Sequence, residues 1–256
     1  MTLIAHARCI AYIRWGLVIA VTAGSAGTYA SDKKDNPKPV AVQMVDSGSF
    51  GVFVRGQRVV TESFSVQQDN GVSIVKSHLQ ETANSVAAGQ RSELQMTGSG
   101  ELVRYEWNDA AGSLVVTPKD EFLLEKITTG SASKPAEQPF LMPNTSAILD
   151  NNFFIHREVL AWRYLATNCH TDGSNLKCQQ GAVEFGVLVP QDRTSMRIRV
   201  ELAGKEKITI RGTERELWRL NLKGEAFAWS LWVDEKDQFK LIRVQIADDN
   251  TEVLRD

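Results

Sequence analysis

The sequence predicts a mainly β protein: a curved antiparallel β-meander, or half-barrel, of about 11–13 strands, with one buried helix inserted near the middle. Three observations predict this fold. Short runs that alternate apolar and polar residues recur from Gly48 onward and are separated by turns. Only one stretch has helical periodicity, and no long internal repeat is present. Because so many consecutive antiparallel strands cannot stay flat, we expect them to curl around a hollow.

The first 30 residues have the three-part layout of a secretory signal peptide. Arg8 and Arg14 supply the positive region, residues 15–23 the apolar stretch, and Thr28-Tyr29-Ala30 a cleavage site. The apolar stretch is shorter than the roughly 20 residues that span a membrane, which favours cleavage over an uncleaved anchor. We therefore expect an exported, periplasmic or extracellular, soluble protein without stable membrane insertion after signal cleavage.

Residues 48–246 are expected to form a single β half-barrel domain. A flexible tether over residues 31–47 precedes it, and a polar C-terminal tail over residues 247–256 follows it. The only convincing helix is predicted over about residues 146–166, after a loop rich in glycine, serine and proline. The broad apolar face of this helix indicates that it is largely buried.

Two strands carry the aromatic residues that decide what the hollow would contain. In "ELVRYEWN", alternation places Val103 and Tyr105 on the same face, and in "FAWSLWV" it places Trp229 and Trp232 on opposite faces. The residues expected to line the hollow come from these strands and from the helix: Val103, Tyr105, Phe154, Trp162, Phe227, Trp229 and Leu231. The alternative for each tryptophan is the core, because pockets and cores draw on the same residue types.

After signal cleavage two cysteines remain, in the segment "CHTDGSNLKC". In an oxidising exported compartment, Cys169 and Cys178 are expected to form a disulfide that closes the loop 169–178. The alternative is a metal site that adds His170. That site lacks a clear fourth ligand, and exported thiols oxidise. We therefore expect a disulfide, no metal site and no cofactor.

The charge and the motifs argue against two large functional classes. The formal net charge of -2 provides no basic excess for a phosphate backbone, so no nucleic-acid partner is expected. His78, His156 and His170 lack a paired ligand or base partner in the sequence. Neither a Gly-x-Ser-x-Gly elbow nor a phosphate-binding glycine loop is present. We expect no catalytic residue, although a cluster assembled only by the fold stays open.

The segments "GSFGVFVRGQRVVTESFSVQ" and "LWVDEKDQFKLIRVQI" resemble the first and last hairpins of exported bacterial proteins of the uncharacterised DUF3108 and DUF6134 families. The first combines a strand, a glycine turn and Glu62-Ser63-Phe64, and the second an aromatic residue, an acidic turn and a closing strand. The wider architecture is similar to the LolA/LolB lipoprotein-carrier fold, a curved half-barrel whose helical elements cover an apolar hollow. This resemblance implies a binding protein and brings no catalytic residues.

These observations favour an exported non-enzymatic binding protein for a lipid-like or other apolar ligand, held in the hollow. One alternative is a structural or protein-interaction module of the cell envelope with a filled core. A hydrolase is the least favoured alternative. An empty apolar volume of ligand size would favour binding, whereas a nucleophile, a base and an orienting acid within hydrogen-bond reach would favour hydrolysis. The sequence indicates neither a ligand's identity nor a protein partner nor an oligomeric state.

Overall fold

The computed structural model describes residues 42–81, 89–130, 134–172, 175–248 and 250–256. The predicted signal peptide and most of the predicted tether lie outside these ranges. Among the helices of the described ranges, none is long and apolar enough to cross a membrane.

The described residues form seventeen strands and one α-helix, so the protein is mainly β as predicted. The strands are β1 (Gln43–Val54), β2 (Gln57–Asp69), β3 (Val72–Glu81), β4 (Arg91–Thr97), β5 (Leu102–Asn108), β6 (Gly112–Lys119), β7 (Phe122–Thr129), β8 (Ala136–Phe140), β9 (Ala147–Ile148), β10 (Cys169–Asp172), β11 (Asn175–Cys178), β12 (Val183–Val189), β13 (Thr194–Ile210), β14 (Thr213–Lys223), β15 (Ala228–Asp234), β16 (Lys240–Ile246) and β17 (Thr251–Arg255). The helix α1 spans Ile155–Asn168, and a single 3-10 turn spans Glu235–Asp237.

Fifteen of these strands join in one curved sheet, which is a meander whose first and last strands meet in its interior. The order is β8-β7-β6-β5-β4-β3-β2-β1-β17-β16-β15-β14-β13-β12-β9. Neighbours are antiparallel except β9 and β12, which pair in parallel. The edge strands β8 and β9 do not pair with each other, so the sheet stays open as a half-barrel.

The strand count exceeds the predicted number because five short strands were predicted as other structure: β8, β9, β10, β11 and β17. β8 lies in the segment predicted as a loop, and it contains Pro139. Proline is tolerated there because β8 is an edge strand and needs no N–H donor on its free side. β9 has only two residues, which is too short for an alternation pattern.

The predicted polar tail is wrong, because Thr251–Arg255 forms β17 inside the large sheet. Val253 of this strand is buried and pairs with Val52 on one side and Val244 on the other. The predicted tether also ends earlier than expected, since β1 begins at Gln43. A five-residue strand with partners this remote along the chain gives too weak a local pattern to be recognised.

The predicted helix range of 146–166 is wrong at its start, because α1 begins only at Ile155. The segment before it turns back instead of winding into a helix. The Asp150 carboxylate accepts a hydrogen bond from the Asn152 N–H (2.8 Å), which stabilises this turn. The helix ends at Asn168, immediately before Cys169 opens β10.

The predicted disulfide between Cys169 and Cys178 is confirmed (S–S 2.10 Å). The two cysteines face each other across the β10–β11 hairpin, in which His170 pairs with Lys177. Since both sulfur atoms are bonded to each other, neither is a thiolate ligand. The alternative metal site at Cys169, His170 and Cys178 is therefore wrong.

Apolar residues of α1 and of the inner face of the sheet form one main core. A second cluster lies on the other side of β15, and its buried members are Ile208, Ile210, Leu217, Trp232 and Ile242. The Trp232 indole N–H donates to the Glu206 carboxylate (3.0 Å). Trp229 packs against the main core, so the two tryptophans point to opposite faces as predicted. Residues of β13 and β14 cover Trp232.

Candidate functional site

The first turn of α1 places three polar side chains inside the protein. His156, Arg157 and Glu158 are all buried. His156 has no paired ligand or base partner in the sequence, and the structure buries its ring almost completely. Since buried polar and charged groups need partners, their contacts decide what the hollow of the half-barrel holds.

Glu62 of β2 caps the N-terminus of this helix. Its carboxylate accepts hydrogen bonds from the N–H groups of Phe154 (2.6 Å) and Ile155 (3.2 Å) and from the Ser77 hydroxyl (2.7 Å). Burial raises the pKa of Glu62 to about 7, although these hydrogen bonds and the charge of Arg157 act in the opposite direction. Phe154, the N-cap residue of α1, provides no side-chain cap. Glu62 therefore satisfies N–H donors that would otherwise be unpaired.

The Arg157 guanidinium fills the space that the sequence predicted for a ligand. It donates to the carbonyl oxygens of Asp150 and Phe153 (2.7 Å to the latter). It also lies 4.8 Å from the centre of the Phe154 ring and 4.6 Å from that of Trp229. Two aromatic residues predicted to line the hollow therefore contact a buried cation of the protein itself.

Tyr105 belongs to a buried hydrogen-bond network. Its hydroxyl donates to the Asp150 carboxylate, and the Gln191 side-chain amide donates to the same carboxylate and to the Tyr105 oxygen (3.0 Å to the latter). Burial raises the pKa of Tyr105 well above its ordinary value, and the charge of Asp150 raises it further. The Nδ1 atom of His156 accepts the Asp150 N–H (3.3 Å). Tyr105 therefore supports the loop before the helix.

Val103 does not face the hollow, contrary to the prediction. It has no partner in β4, because the pairing passes directly from Arg104 to Leu102. The resulting bulge shifts the alternation by one residue. As a consequence Leu102 and Tyr105 are both buried, whereas Val103 is 37% exposed.

The other predicted lining residues pack into the core or beside it. Phe154 and Leu231 are buried in the main core. Phe227 and Trp229 are partly buried, pack against that core, and contact each other with ring centres 4.5 Å apart. Trp162, by contrast, lines an open cavity between the sheet and the helix.

That cavity is a groove of about 270 Å³ between α1 and strands β2, β3 and β4. Its apolar lining comes from these strands, from the adjacent strand β1 and from one side of the helix: Val45, Val66, Val75, Met96, Val159, Trp162 and Ala166. The Trp162 indole N–H donates to the Phe239 carbonyl (3.0 Å), which fixes the ring in place. One aromatic wall of the groove is therefore held in position by a hydrogen bond to the backbone.

The polar part of the groove lies at the turn between β4 and β5 and at Arg163 of the helix. Gly100 in this turn has a φ of 81°, a left-handed conformation that favours glycine. A side chain at Gly100 would begin 3.8 Å from Arg163, so the turn and the arginine are in contact range. Arg163 is not among the residues predicted from the sequence; the signal for it is a basic residue beside Trp162 on a helix expected to be buried.

The three described histidines do not form a common site, since His78 lies in β3, His156 in α1 and His170 in β10. Within the described ranges, no group of three or more His, Cys, Asp and Glu side chains could hold a metal ion. Burial, followed by the charge of Arg157, lowers the pKa of His156 to about 3. A histidine of such low basicity is a poor proton acceptor at neutral pH.

Replacing Glu125 by Gln is expected to stabilise the protein at alkaline pH. Glu125 of β7 is buried, neither carboxylate oxygen has a hydrogen-bond partner, and burial raises its pKa to about 7 despite the charge of Arg193. The folded state therefore binds a proton more tightly than the unfolded state. This group's contribution to stability falls as pH rises towards about 7 and is constant above that value.

The measurement is chemical unfolding of wild type and Glu125→Gln at pH 5 and pH 8. The difference in free energy of unfolding between variant and wild type should rise by about 1–2 kcal/mol in the variant's favour from pH 5 to pH 8, after allowance for screening by solvent. Equal differences at both pH values would contradict a raised pKa at Glu125.

No family model, no curated protein and no solved structure matches this chain. The resemblance to the DUF3108 and DUF6134 families and to the LolA/LolB fold therefore stays a prediction. The function has to be argued from the groove and from the residues around it.

Proposed function

We propose that this protein is an exported, non-enzymatic binding protein that holds a lipid-like or other apolar ligand in the groove between α1 and strands β2–β4. The observation that carries the proposal is the apolar groove of about 270 Å³ beside an otherwise packed core. This volume is close to the lower end of the range of small-molecule pockets, about 300–1,000 Å³. Small apolar ligands bind because such a surface removes them from water.

The proposed site differs from the one predicted from the sequence. The middle of the half-barrel is filled by the buried side chain of Arg157 and the aromatic rings around it. The groove lies instead along the C-terminal part of the helix, where Val159, Trp162 and Ala166 face the sheet. The helix thus contributes one wall of the site and also fills the rest of the hollow.

Two further observations support the other parts of the proposal. The Cys169–Cys178 disulfide is typical of proteins that fold in an oxidising compartment, which supports export. The low pKa of the buried His156 supports a non-enzymatic role, because this side chain is a weak base.

A second candidate function is a structural or protein-interaction module of the cell envelope. The observation that favours it is the extent of the packed core, which includes Tyr105, Phe154 and Leu231, three residues expected to line a ligand site. The two candidates differ in one measurable property. Only the binding protein takes up a small apolar molecule at the groove.

Ala166→Trp tests the groove directly. Ala166 is exposed on the helix and lines the groove, so an indole ring there should occupy the apolar space without disturbing the core. We expect wild type to bind the neutral fluorescent probe N-phenyl-1-naphthylamine and Ala166→Trp to bind it at least tenfold more weakly, a difference of about 1.4 kcal/mol.

The matched control is Val59→Trp, which adds the same ring at an exposed position of β2 that lies outside the groove. It should bind the probe like wild type. Thermal unfolding, followed by circular dichroism, is the check that both variants are folded. Equal affinity of wild type and Ala166→Trp, or no binding to wild type, would reject the groove and leave the structural module as the better candidate.

A further inference from the structure

Arg163 is a partly buried cation beside the groove, and none of the described residues places an anion next to it. Within the described ranges its contacts are the Thr145 carbonyl oxygen, to which it donates a hydrogen bond, and the Phe185 ring, whose centre lies 5.6 Å from the guanidinium carbon. Neither contact supplies a negative charge. Burial lowers the pKa of Arg163, and no carboxylate acts in the opposite direction.

Other arginines that point away from bulk solvent in this protein have carboxylate partners or, at Arg157, several carbonyl acceptors. Arg243 lies 2.7 Å from the Glu252 carboxylate, and Arg255 lies 2.9 Å from that of Glu158. Removing a guanidinium from water costs free energy unless an anion or several hydrogen bonds compensate. Arg163 therefore has the properties of one half of an ion pair.

The surroundings of Arg163 combine polar and apolar groups in one cavity. The hydroxyls of Thr97 and Ser99 bond to each other (2.8 Å) in the turn that contacts Arg163, and both residues line the groove. The apolar side chains of Val75 and Trp162 line the same cavity. A molecule that fills it would meet a cation and hydroxyl groups at one part of its surface and hydrocarbon at another.

We propose that the ligand of the groove is a single-chain amphiphile with an anionic head group, whose carboxylate or phosphate oxygens pair with Arg163. This inference rests on the proposed function and adds the class of ligand. A guanidinium binds carboxylates and phosphates through two parallel N–H···O bonds. The chain of the ligand lies along Val66, Val75 and Trp162. One chain is inferred because the groove, at about 270 Å³, is small for a pocket.

The test compares two ligands that differ only in the head group, dodecanoate and dodecanol, at pH 8 and below their aggregation concentrations. Each displaces N-phenyl-1-naphthylamine from wild type, Arg163→Met and Arg163→Lys. We expect wild type to bind dodecanoate at least tenfold more tightly than dodecanol. Arg163→Met should lose this preference and keep its affinity for dodecanol within about twofold, and Arg163→Lys should keep part of the preference because it keeps the charge.

The control variant is Arg197→Met, in which the arginine side chain is 81% exposed and pairs with Glu184. It should retain the full preference for dodecanoate. A second measurement, the salt dependence of the preference, uses only wild type, so it does not depend on whether the variants fold. The preference should shrink as sodium chloride is raised from 20 mM to 500 mM, because salt screens the pairing of the two charges.

The outcomes separate this inference from the proposed function. If wild type does not bind the probe, the groove is not a binding site and both proposals fail. If the probe binds but neither ligand displaces it, the head-group inference fails. If both ligands bind wild type equally, or if Arg163→Met keeps the preference, the head-group inference fails while the apolar groove stands. A parallel arm with dodecyl phosphate identifies the source: tighter binding than dodecanoate indicates a phospholipid-type head group, and weaker binding indicates a fatty acid.

Discussion

Replacing Arg255 by Met is expected to lower the free energy of unfolding by about 3–5 kcal/mol, the largest single loss that we expect for this protein. Arg255 of β17 donates to the carboxylates of Glu158 in the helix (2.9 Å) and Asp46 in β1. It also lies over the Phe64 ring, with 4.9 Å between the guanidinium carbon and the ring centre. Because both carboxyl groups are buried, removing the cation leaves two acids without their shared partner.

The pH dependence of this loss follows from the two acids. Burial alone would raise the pKa of Asp46, but Glu158, Arg255 and Lys240 together hold it below its ordinary value. Burial and the neighbouring Asp46 raise the pKa of Glu158 well above its ordinary value. Asp46 therefore contributes stability at neutral pH that is lost as pH falls through its lowered folded pKa. The effect of Arg255→Met should shrink below about pH 4.

Urea unfolding at pH 7 and pH 3 measures this effect. The control is Arg197→Met, which removes an exposed pair with Glu184 (2.8 Å) and should change stability by at most about 0.5 kcal/mol. A loss below about 1 kcal/mol for Arg255→Met at pH 7 would be far under the range for a broken buried pair. It would show that Lys240, 3.4 Å from Asp46, neutralises the acids by itself.

Glu62→Ala is expected to cost about 3–4 kcal/mol, the second-largest loss. The substitution leaves two donors unpaired inside the protein, the N–H groups of Phe154 and Ile155. The Ser77 hydroxyl also loses its shorter hydrogen bond and keeps only the Ser63 carbonyl (3.4 Å). Each buried donor that loses its acceptor costs about 1–3 kcal/mol. Since the pKa of Glu62 is raised by burial to about 7, its contribution to stability falls as pH rises towards that value.

Glu62→Gln separates the hydrogen bonds from the charge. The amide oxygen still accepts from the helix, so we expect a loss of only about 1 kcal/mol at pH 6. We also expect the slope of stability against pH below about 7 to decrease in this variant. Glu93→Ala, which removes an exposed ion pair with Lys76 (3.4 Å), is the control and should have little effect. A loss for Glu62→Ala equal to that of Glu93→Ala would contradict the capping role.

The features that the sequence predicted correctly are local ones. Asp69-Asn70-Gly71 predicts the hairpin between β2 and β3, and in the structure Asn70 and Gly71 have the left-handed φ angles of such a turn. The disulfide joins two cysteines that are close in the chain. Alternation predicts which way Trp229 and Trp232 point, because the side-chain direction in a strand depends only on its neighbours.

The features that the sequence did not predict depend on residues remote in the chain. Glu62 caps a helix that begins 93 residues later in the chain, and no local pattern of β2 reveals this. The bulge at Val103 exists only when β5 pairs with β4, and one such residue inverts the predicted facing. Arg163 has no anion beside it among the described residues, and this becomes visible only from the tertiary positions of the neighbouring strands. The candidate site is thus almost entirely a product of tertiary structure.

The pairing of β1 with β17 has a consequence for how the polypeptide acquires its structure. Strands β2–β8 and β12–β16 are made mostly of hairpins between chain neighbours, which can form as soon as both strands exist. The junction between these halves requires Val52 to meet Val253 and Arg255 to reach Asp46. Closing a loop of this length is slow. The two halves should therefore form early, and the rate-limiting step should be their joining after Arg255 has left the ribosome.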